Sequence, residues 1–251
     1  MNVLILAAGY ATRLYPLTQT KAKPLLEVAG KPMIEWVLDN LAPVPEIETV
    51  FVVTNDKFAR DFQTWAEKYR ARARKLTIKI VNDGSKDDSD KLGAIGDICL
   101  VLMREDLGND DLIIVAGDNL FSEPLTDFVA AARGSEATLA TYNVGDLEAI
   151  KKYSGITTDA EGVITSFEEK PEDPKSTLTG IALYYFSRET IPLFTTYIAA
   201  GNNPDQPGRF IQWLYTRKPV KTHQITGTWF DIGSKETLEE ANVLFQKFVR
   251  P

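Results

Sequence analysis

Apolar positions along the chain follow two patterns that alternate. Short apolar runs are typical of buried strands, whereas apolar residues three or four positions apart are typical of amphipathic helices. In the first half, strand patterns lie at residues 4–6, 50–53, 77–81 and 112–115, and helical spacing lies at residues 33–41, 57–75 and 92–103. This alternation predicts an α/β fold in which a mainly parallel sheet is covered by helices on both faces.

The second half of the chain changes character. Strand patterns lie at residues 138–143, 155–158, 163–167 and 183–186, and helical patterns lie at residues 191–199, 210–215 and 236–248. Asp, Ala, Glu and Gly at residues 159–162 separate two of these strands, which indicates a hairpin. The sequence has no internal repeat and no hexapeptide series that would form an appended β-helix domain. We therefore expect one mixed α/β domain over residues 1–251, with a smaller lobe in its second half.

The first strand pattern leads into a loop of small residues that is followed by two cations, Arg13 and Lys23. Gly9 allows a left-handed or strained backbone, and the small side chains of Ala7 and Ala8 would let a phosphate approach main-chain N–H groups. Neither the Rossmann nor the Walker glycine pattern is present. An ordinary turn with a surface arginine is the alternative, but the two cations favour phosphate binding.

Composition narrows the class of protein. Apolar and charged fractions of 44% and 25% are ordinary for a globular protein, and a net charge of −7 without a dominant basic stripe argues against nucleic-acid binding. No apolar run is long enough to span a membrane, and the N-terminus has the pattern of a core strand and not of a signal peptide. A single cysteine and a single histidine predict a reducing, cytoplasmic location and oxygen ligands for any metal.

Two aspartates are candidate ligands for Mg²⁺. Asp118 belongs to the segment at residues 116–119, which directly follows the buried strand pattern at residues 112–115, and Asp231 follows a short apolar stretch and precedes a helical pattern. Mg²⁺ prefers hard oxygen ligands and often binds through one or two carboxylates together with substrate phosphates. A helix cap or a turn is the alternative role for Asp118. Together the two could complete one magnesium site.

A third signal is the charged run at the end of the predicted hairpin. Strand alternation places Glu168 and Glu169 on opposite faces, so one at most would enter a given pocket. Lys170 precedes Pro171, which is expected to hold it extended, and it could reach a ligand phosphate. An exposed, salt-bridged sheet edge is the alternative.

The ordered set of these motifs resembles the sugar-1-phosphate nucleotidyltransferases, which include glucose-1-phosphate thymidylyl- and uridylyltransferases and mannose-1-phosphate guanylyltransferases. The resemblance rests on segments beginning at Leu6, Thr12, Pro16, Lys23, Gly30, Gly117 and Glu169. It implies a Rossmann-like, GT-A-like nucleotidyltransferase fold, with nucleotide bound by residues 1–135 and sugar phosphate by residues 136–251. It also implies Mg²⁺-dependent transfer of a nucleoside monophosphate from a nucleoside triphosphate to a sugar 1-phosphate, with dTTP or UTP favoured as the donor. The expected partners are these small molecules, with no nucleic acid, no membrane and a possible homo-oligomer.

The resemblance also implies roles for individual residues. Arg13 and Lys23 would hold the triphosphate as the catalytic cations, and Asp118 and Asp231 would bind Mg²⁺. The nucleotide-binding residues would be Leu6, Ala7, Ala8, Gly9, Tyr10, Ala11, Thr12, Asn82 and Gly93. The sugar-phosphate-binding residues would be Asn119, Gly155, Glu169, Lys170, Thr179 and Gly180.

Three positions depart from the pattern of the family. Ala11 stands where a glycine is usual, residues 84–90 form an acidic insertion in the region that reads the base, and Ser154 separates residues that are usually adjacent. Two other functions therefore stay open at this point. One is a cytidylyltransferase for phosphocholine or another alcohol phosphate, and the other is a catalytically silent regulatory subunit that binds nucleotide sugars.

Overall fold

The computed structural model describes residues 1–72 and 76–249. The strands are β1 Asn2–Leu6, β2 Glu27–Val28, β3 Lys31–Pro32, β4 Thr49–Thr54, β5 Thr77–Asn82, β6 Leu112–Ala116, β7 Asn119–Phe121, β8 Ala137–Asn143, β9 Ser154–Thr158, β10 Ile164–Glu169, β11 Leu178–Phe186, β12 Val220–Gln224 and β13 Trp229–Asp231. The α-helices are α1 Leu17–Thr20, α2 Met33–Leu41, α3 Ala59–Arg72, α4 Ala94–Glu105, α5 Thr126–Ala132, α6 Leu147–Ile150, α7 Leu193–Ala199, α8 Pro207–Leu214 and α9 Lys235–Phe245. Short 3-10 turns lie at Thr12–Leu14, Lys23–Leu25, Leu107–Asn109 and Gln246–Phe248.

Among the described residues, seven strands form the main sheet in the order β12-β8-β11-β6-β1-β4-β5. β4 runs parallel to both β1 and β5, and β12 runs parallel to β8, whereas β11 is antiparallel to β8. The strand β1 is almost wholly apolar, as a strand buried on both faces of a parallel sheet must be. The predicted mixed, mainly parallel α/β fold is confirmed.

Several element boundaries differ from those that the pattern predicts. The helix expected at residues 57–75 is α3, Ala59–Arg72, which begins two residues later than predicted, and residues 73–75 lie outside the described residues. The helix expected at residues 236–248 becomes a 3-10 turn after Phe245. β12 is missing from the prediction because its sequence, Val-Lys-Thr-His-Gln, contains little of the apolar pattern that marks a strand.

The chain divides into two compact units. The first unit comprises Met1–Gly93, Val115–Thr126 and the residues from Gly227 onwards, and the second comprises Ala94–Ile114 and Asp127–Thr226. The single-domain organisation and its division after residue 135 stay predictions.

One hydrophobic cluster of the first unit, which we call the anchor cluster, packs α2 and α9 against the β2–β3 hairpin. Its members come from segments that are distant in the sequence and are buried together. They are Leu14, Leu26, Val28, Ala29, Met33, Trp36, Leu120, Ile232, Ala241 and Phe245. The indole of Trp36 meets the ring of Phe245 edge to face, with ring centroids 5.1 Å apart. The C-terminal helix α9 is thereby fixed to the segment that follows β1.

The second unit contains the predicted hairpin, which is formed by β9 and β10. The Asp159 carboxylate accepts hydrogen bonds from the Glu161 and Val163 main-chain N–H groups at 3.1 and 2.8 Å. Gly162 has a φ of 78°, in the left-handed region that glycine adopts without a steric penalty. The hairpin predicted from residues 159–162 is therefore confirmed, with Asp159 and Gly162 forming its turn. No helix in the described ranges is both long and apolar enough to cross a membrane.

Candidate functional site

The loop after β1 is shaped by Ala11 and not by Gly9. Ala11 lies in the left-handed region, with φ 47° and ψ 46°, whereas Gly9 is not among the residues with positive φ. The Ala11 carbonyl accepts hydrogen bonds from the Thr18 hydroxyl at 2.8 Å and from the Leu14 N–H at 3.0 Å. The expectation that Gly9 would supply the left-handed residue is wrong, because these two bonds place the left-handed residue two positions further along the loop, at Ala11.

This loop presents main-chain donors that are not engaged within the protein. Across residues 1–72 and 76–249, no hydrogen-bond acceptor is found for the main-chain N–H groups of Gly9, Tyr10, Ala11 and Thr12. Successive N–H groups around a left-handed residue form a concave donor surface that suits an anion. The geometry therefore favours the predicted phosphate loop over an ordinary turn.

Lys23 and Asp118 form an ion pair although they lie 95 positions apart in the sequence. The ammonium nitrogen of Lys23 is 2.6 Å from Asp118 Oδ2, and the two side chains are only 11% and 27% exposed. Gly117 makes this approach possible, since a Cβ there would lie 3.1 Å from Ile5 Cγ2 and 3.2 Å from Pro24 Cβ. The absence of a side chain at Gly117 thus lets the end of β6 lie against the segment that carries Lys23.

Asp231, in β13, lies close to the ion pair of Lys23 and Asp118 although it is far from both in the sequence. β13 pairs antiparallel with β7, and this register sets Asp231 opposite Asn119. The Trp229 indole N–H donates to Asn119 Oδ1 at 2.7 Å and fixes the alignment. Desolvation by the surrounding protein groups and the charge of Asp118 raise the pKa of Asp231, and the charges of Lys23 and Arg13 partly offset that rise. The structure therefore brings all four predicted charged residues together.

The anchor cluster explains why these four residues are held in place. Each is followed closely in the sequence by a cluster member: Arg13 by Leu14, Lys23 by Leu26, Asp118 by Leu120 and Asp231 by Ile232. Charged side chains are thus attached to short segments whose next apolar residue is buried. Buried side chains in close-packed interiors have little freedom, so the backbone beside each charged residue is held in place.

The predicted base-binding residues Asn82 and Gly93 also belong to the first unit. The Asn82 side chain donates to Asp56 Oδ1 at 2.7 Å and accepts from the Gly84 N–H at 2.9 Å. Gly93 has a φ of 78°, so a side chain at that position would be strained. Asn82 is thus committed to shaping the turn after β5, and its contact with a base stays a prediction.

The predicted sugar-phosphate residues, apart from Asn119, belong to the second unit. They cluster where β9 and β11 begin and β10 ends: Gly155 pairs with Glu168, and the Lys170 N–H donates to the Tyr153 carbonyl at 2.8 Å. A Cβ on Gly155 would lie 2.9 Å from Pro171 Cγ, so the Pro171 ring, just beyond the end of β10, packs directly against the backbone of Gly155. The charge of Glu169 adds to the effect of burial in raising the pKa of Tyr184.

In the second unit, the expectation for Lys170 is wrong, and the structure adds contacts of Thr179 and Ser154. Lys170 is not extended before Pro171, because it has a left-handed φ of 49°. Thr179 is fully buried, and its hydroxyl lies 3.4 Å from the Ser154 hydroxyl. Ser154, which departs from the family pattern, also accepts a hydrogen bond from the Gly180 N–H at 3.3 Å. The extra serine therefore ties β9 to β11.

One residue that supports the phosphate loop, Asn55, was not predicted from the sequence. The fully buried Asn55 donates from its amide to the Ala8 carbonyl at 2.9 Å, and its oxygen accepts from the Phe58 N–H at 3.1 Å. Asn55 directly follows β4, which lies beside β1. The rule that ligand sites lie at the carboxyl ends of parallel strands could have found this residue.

The donor set is compatible with Mg²⁺ and not with a site made by protein ligands alone. Within the described part of the chain, no group of three or more His, Cys, Asp or Glu side chains could hold a metal ion. Asp118 lies close enough to Asp231 for its charge to raise the pKa of the Asp231 carboxyl. Two carboxylates match the way in which Mg²⁺ is usually held, through one or two carboxylates together with substrate phosphates.

Comparison with known proteins agrees with this geometry. A family model described as nucleotidyl transferase matches residues 2–247, and the chain belongs to this family. The chain is 29% identical to a glucose-1-phosphate thymidylyltransferase of Streptomyces griseus over 269 residues, covering 100% of this chain and 68% of that protein. It is 28% identical to the UTP–glucose-1-phosphate uridylyltransferase AglF of Haloferax volcanii over 249 residues, covering 98% and 97%. The resemblance to the sugar-1-phosphate nucleotidyltransferases is confirmed.

A solved structure gives the same fold. The structure of a UDP-glucose pyrophosphorylase complexed with UDP-glucose superposes with a TM-score of 0.79 at 24% identity, covering 98% of each chain. Against the first curated relatives that it matches, the chain spans about half of their length, 53% and 56%.

Proposed function

We propose that the protein transfers a nucleoside monophosphate from a nucleoside triphosphate to a sugar 1-phosphate and releases pyrophosphate, in an Mg²⁺-dependent reaction. One observation carries the proposal: Arg13, Lys23, Asp118 and Asp231 converge beside a loop with free main-chain N–H groups. Family membership supports the class of reaction, and the names of the relatives from Streptomyces griseus and Haloferax volcanii support dTTP or UTP as the donor.

In this reaction an oxygen of the sugar 1-phosphate attacks the α-phosphorus of the triphosphate. A new P–O bond forms while the bond to pyrophosphate breaks, and pyrophosphate leaves with the electron pair. The attacking phosphate is already ionised at neutral pH, so no strong general base is required. Catalysis then depends on alignment and on neutralising the negative charge of the transferred group.

The first unit supplies the groups that suit this task. The N–H groups of the loop and the Arg13 guanidinium would bind the triphosphate oxygens, and Lys23 would neutralise charge beside the α-phosphate. Asp118 and Asp231 would hold Mg²⁺, which when bound would neutralise phosphate charge and orient the reacting phosphorus. The ion pair between Lys23 and Asp118 keeps both side chains in place for these roles.

The second unit supplies groups that suit a sugar phosphate. Glu169 can accept hydrogen bonds from sugar hydroxyls, and the exposed Lys170 ammonium can pair with the phosphate. The left-handed backbone at Lys170 and the close packing of Gly155 on Pro171 set the direction of this short segment. We assign sugar-phosphate binding to this end of the hairpin.

A matrix of substrates tests the proposal. Pyrophosphate release is measured with dTTP, UTP, CTP, GTP and ATP, each combined with several hexose 1-phosphates or with phosphocholine, and products are identified by mass spectrometry. We expect turnover with dTTP or UTP and a hexose 1-phosphate, loss of turnover with a chelator, and recovery when excess Mg²⁺ is added. Absence of turnover with every hexose 1-phosphate would overturn the proposal, and activity confined to CTP with phosphocholine would replace it.

A further inference from the structure

The aromatic side chain of Tyr10 points into the protein, although the residue belongs to the phosphate loop. Tyr10 is only 5% exposed, and its hydroxyl donates to Ser85 Oγ at 3.3 Å. The two residues are 75 positions apart in the sequence. Tyr10 therefore cannot offer its ring to a bound nucleotide, but it connects the phosphate loop to the segment after β5.

Ser85 is a firm support because every polar group of this residue is engaged. Its hydroxyl donates to the Asp83 carboxylate, with Oδ1 and Oδ2 at 2.8 and 2.9 Å, and its N–H donates to Asp83 Oδ1 at 2.7 Å. Its carbonyl accepts from the Asp56 N–H at 2.9 Å, and the Asp83 N–H donates to the Thr54 carbonyl at 2.8 Å. These bonds fasten Ser85 to the end of β4.

The proton needed for this contact stays on Tyr10 at neutral pH. Burial raises the pKa of Tyr10, the hydrogen bond with Ser85 lowers it, and the charges of Asp83, Asp90 and Asp87 raise it further. The net shift is upward from an ordinary value that is already far above neutrality. The Tyr10 hydroxyl is thus a permanent donor.

The contact matters because the next residue is strained. Ala11 has a left-handed φ of 47°, a conformation that a residue with a side chain keeps only where the surroundings impose it. Thr18 holds the Ala11 carbonyl on one side, and Tyr10 is the adjoining residue on the other. The free N–H groups lie between and beside these two attachments.

We propose that Tyr10 is a positioning residue whose hydroxyl, held by Ser85 and Asp83, keeps the phosphate loop in the conformation that binds the triphosphate. This inference rests on the proposed function and deepens it. A loop that loses the attachment must be ordered again when the triphosphate binds. Triphosphate affinity then falls, while the chemical step and the affinity for sugar 1-phosphate stay the same.

The test compares Tyr10→Phe, Ser85→Ala and the double variant with the wild type. Because a bond of 3.3 Å is long for two hydroxyl groups, we expect Tyr10→Phe to raise the KM for the triphosphate about threefold, with kcat and the KM for sugar 1-phosphate nearly unchanged. In the Ser85→Ala background, Tyr10→Phe should add no further loss, since the shared link is already broken.

The matched control is Tyr197→Phe. Tyr197 is also buried, and its hydroxyl donates to the Asn203 carbonyl at 2.9 Å in the second unit. Tyr197→Phe removes a comparable hydrogen bond, so it controls for a general loss of stability. We expect its KM for the triphosphate to match that of the wild type.

Calorimetric titration of Mg²⁺ and triphosphate, without sugar phosphate, gives a readout that needs no turnover. A threefold weaker Kd in Tyr10→Phe supports the inference even if the wild type turns over no hexose 1-phosphate, a result that would overturn only the proposed function. Equal Kd values for Tyr10→Phe and wild type would overturn the inference, as would equal losses in Tyr10→Phe and Tyr197→Phe. A wild type that binds no triphosphate would overturn both.

Discussion

The two units hold their charged residues by different means. In the first unit, Arg13, Lys23, Asp118 and Asp231 are each followed by a side chain of the anchor cluster. In the second unit, Glu169 and Lys170 are exposed at the end of a two-stranded hairpin and are placed by backbone geometry alone. The first arrangement holds the backbone beside each charged residue through the packing of its apolar neighbour, and the second sets only the direction of the chain. Mutations in the two regions should therefore affect the two substrates separately.

The largest effect is expected for Asp118→Ala. This change removes a proposed metal ligand and the partner of Lys23, so turnover should fall at least about a hundredfold. Asp39→Ala is the matched control, because Asp39 pairs with Lys31 in the same unit but is 51% exposed. Loss of an exposed pair should change initial rates by less than about twofold. Substantial activity left in Asp118→Ala would remove this residue from the site.

Gly155→Ala should separate the two substrates most clearly. Its new Cβ would lie 2.9 Å from Pro171 Cγ, and the strain would displace the segment that carries Lys170. We expect the KM for sugar 1-phosphate to rise about tenfold, with the KM for the triphosphate unchanged. Gly208→Ala is the control, since its Cβ would meet only Phe167 Cζ at an ordinary 3.8 Å. If both KM values rise together in Gly155→Ala, the two units do not act separately.

The charged residues of the first unit were predictable because each follows a recognisable local pattern. Asp118 comes shortly after the buried strand β6, and Arg13 and Lys23 follow a loop of small residues, so the sequence alone suggested their chemistry. Their convergence depends on contacts across long sequence separations, such as the 95 positions between Lys23 and Asp118. A single sequence contains no direct record of such contacts, and the family resemblance filled that gap.

The supporting residues were not predictable for a related physical reason. The inward direction of Tyr10, the left-handed backbone of Ala11 and the bond from Asn55 to the Ala8 carbonyl all depend on neighbours from other strands. Lys170 shows the same limit, because the preference for an extended residue before proline is overridden by its bond to the Tyr153 carbonyl. Local preference predicted most strands of the main sheet and the longer helices, whereas tertiary contacts set the conformation of the loops.

A smaller effect on the triphosphate is expected when the anchor cluster is weakened. Leu120→Ala leaves a cavity beneath the segment that carries Asp118 and should lower the free energy of unfolding by about 2–5 kcal/mol. Leu214→Ala, at a fully buried leucine of α8 in the second unit, should lower it by a similar amount. Only Leu120→Ala should also raise the KM for the triphosphate. Denaturant titration would measure the free energy of unfolding, and kinetics at a temperature where both variants are folded would measure the KM for the triphosphate. An equal rise of this KM in both variants would contradict the role of the anchor cluster.

The smallest expected effect concerns backbone strain in the phosphate loop. Ala11→Gly removes the steric penalty of the left-handed conformation but adds chain entropy to the unfolded state, so the free energy of unfolding should change by less than about 1 kcal/mol. The same change at Ala29, which has a φ of 51° in the β2–β3 turn, should shift stability similarly. The KM values distinguish the two, since only Ala11→Gly loosens the phosphate loop and should raise the KM for the triphosphate slightly. A lower KM in Ala11→Gly would mean that the strained alanine hinders the loop, and that binding requires a conformation other than the one which Tyr10 and Thr18 hold.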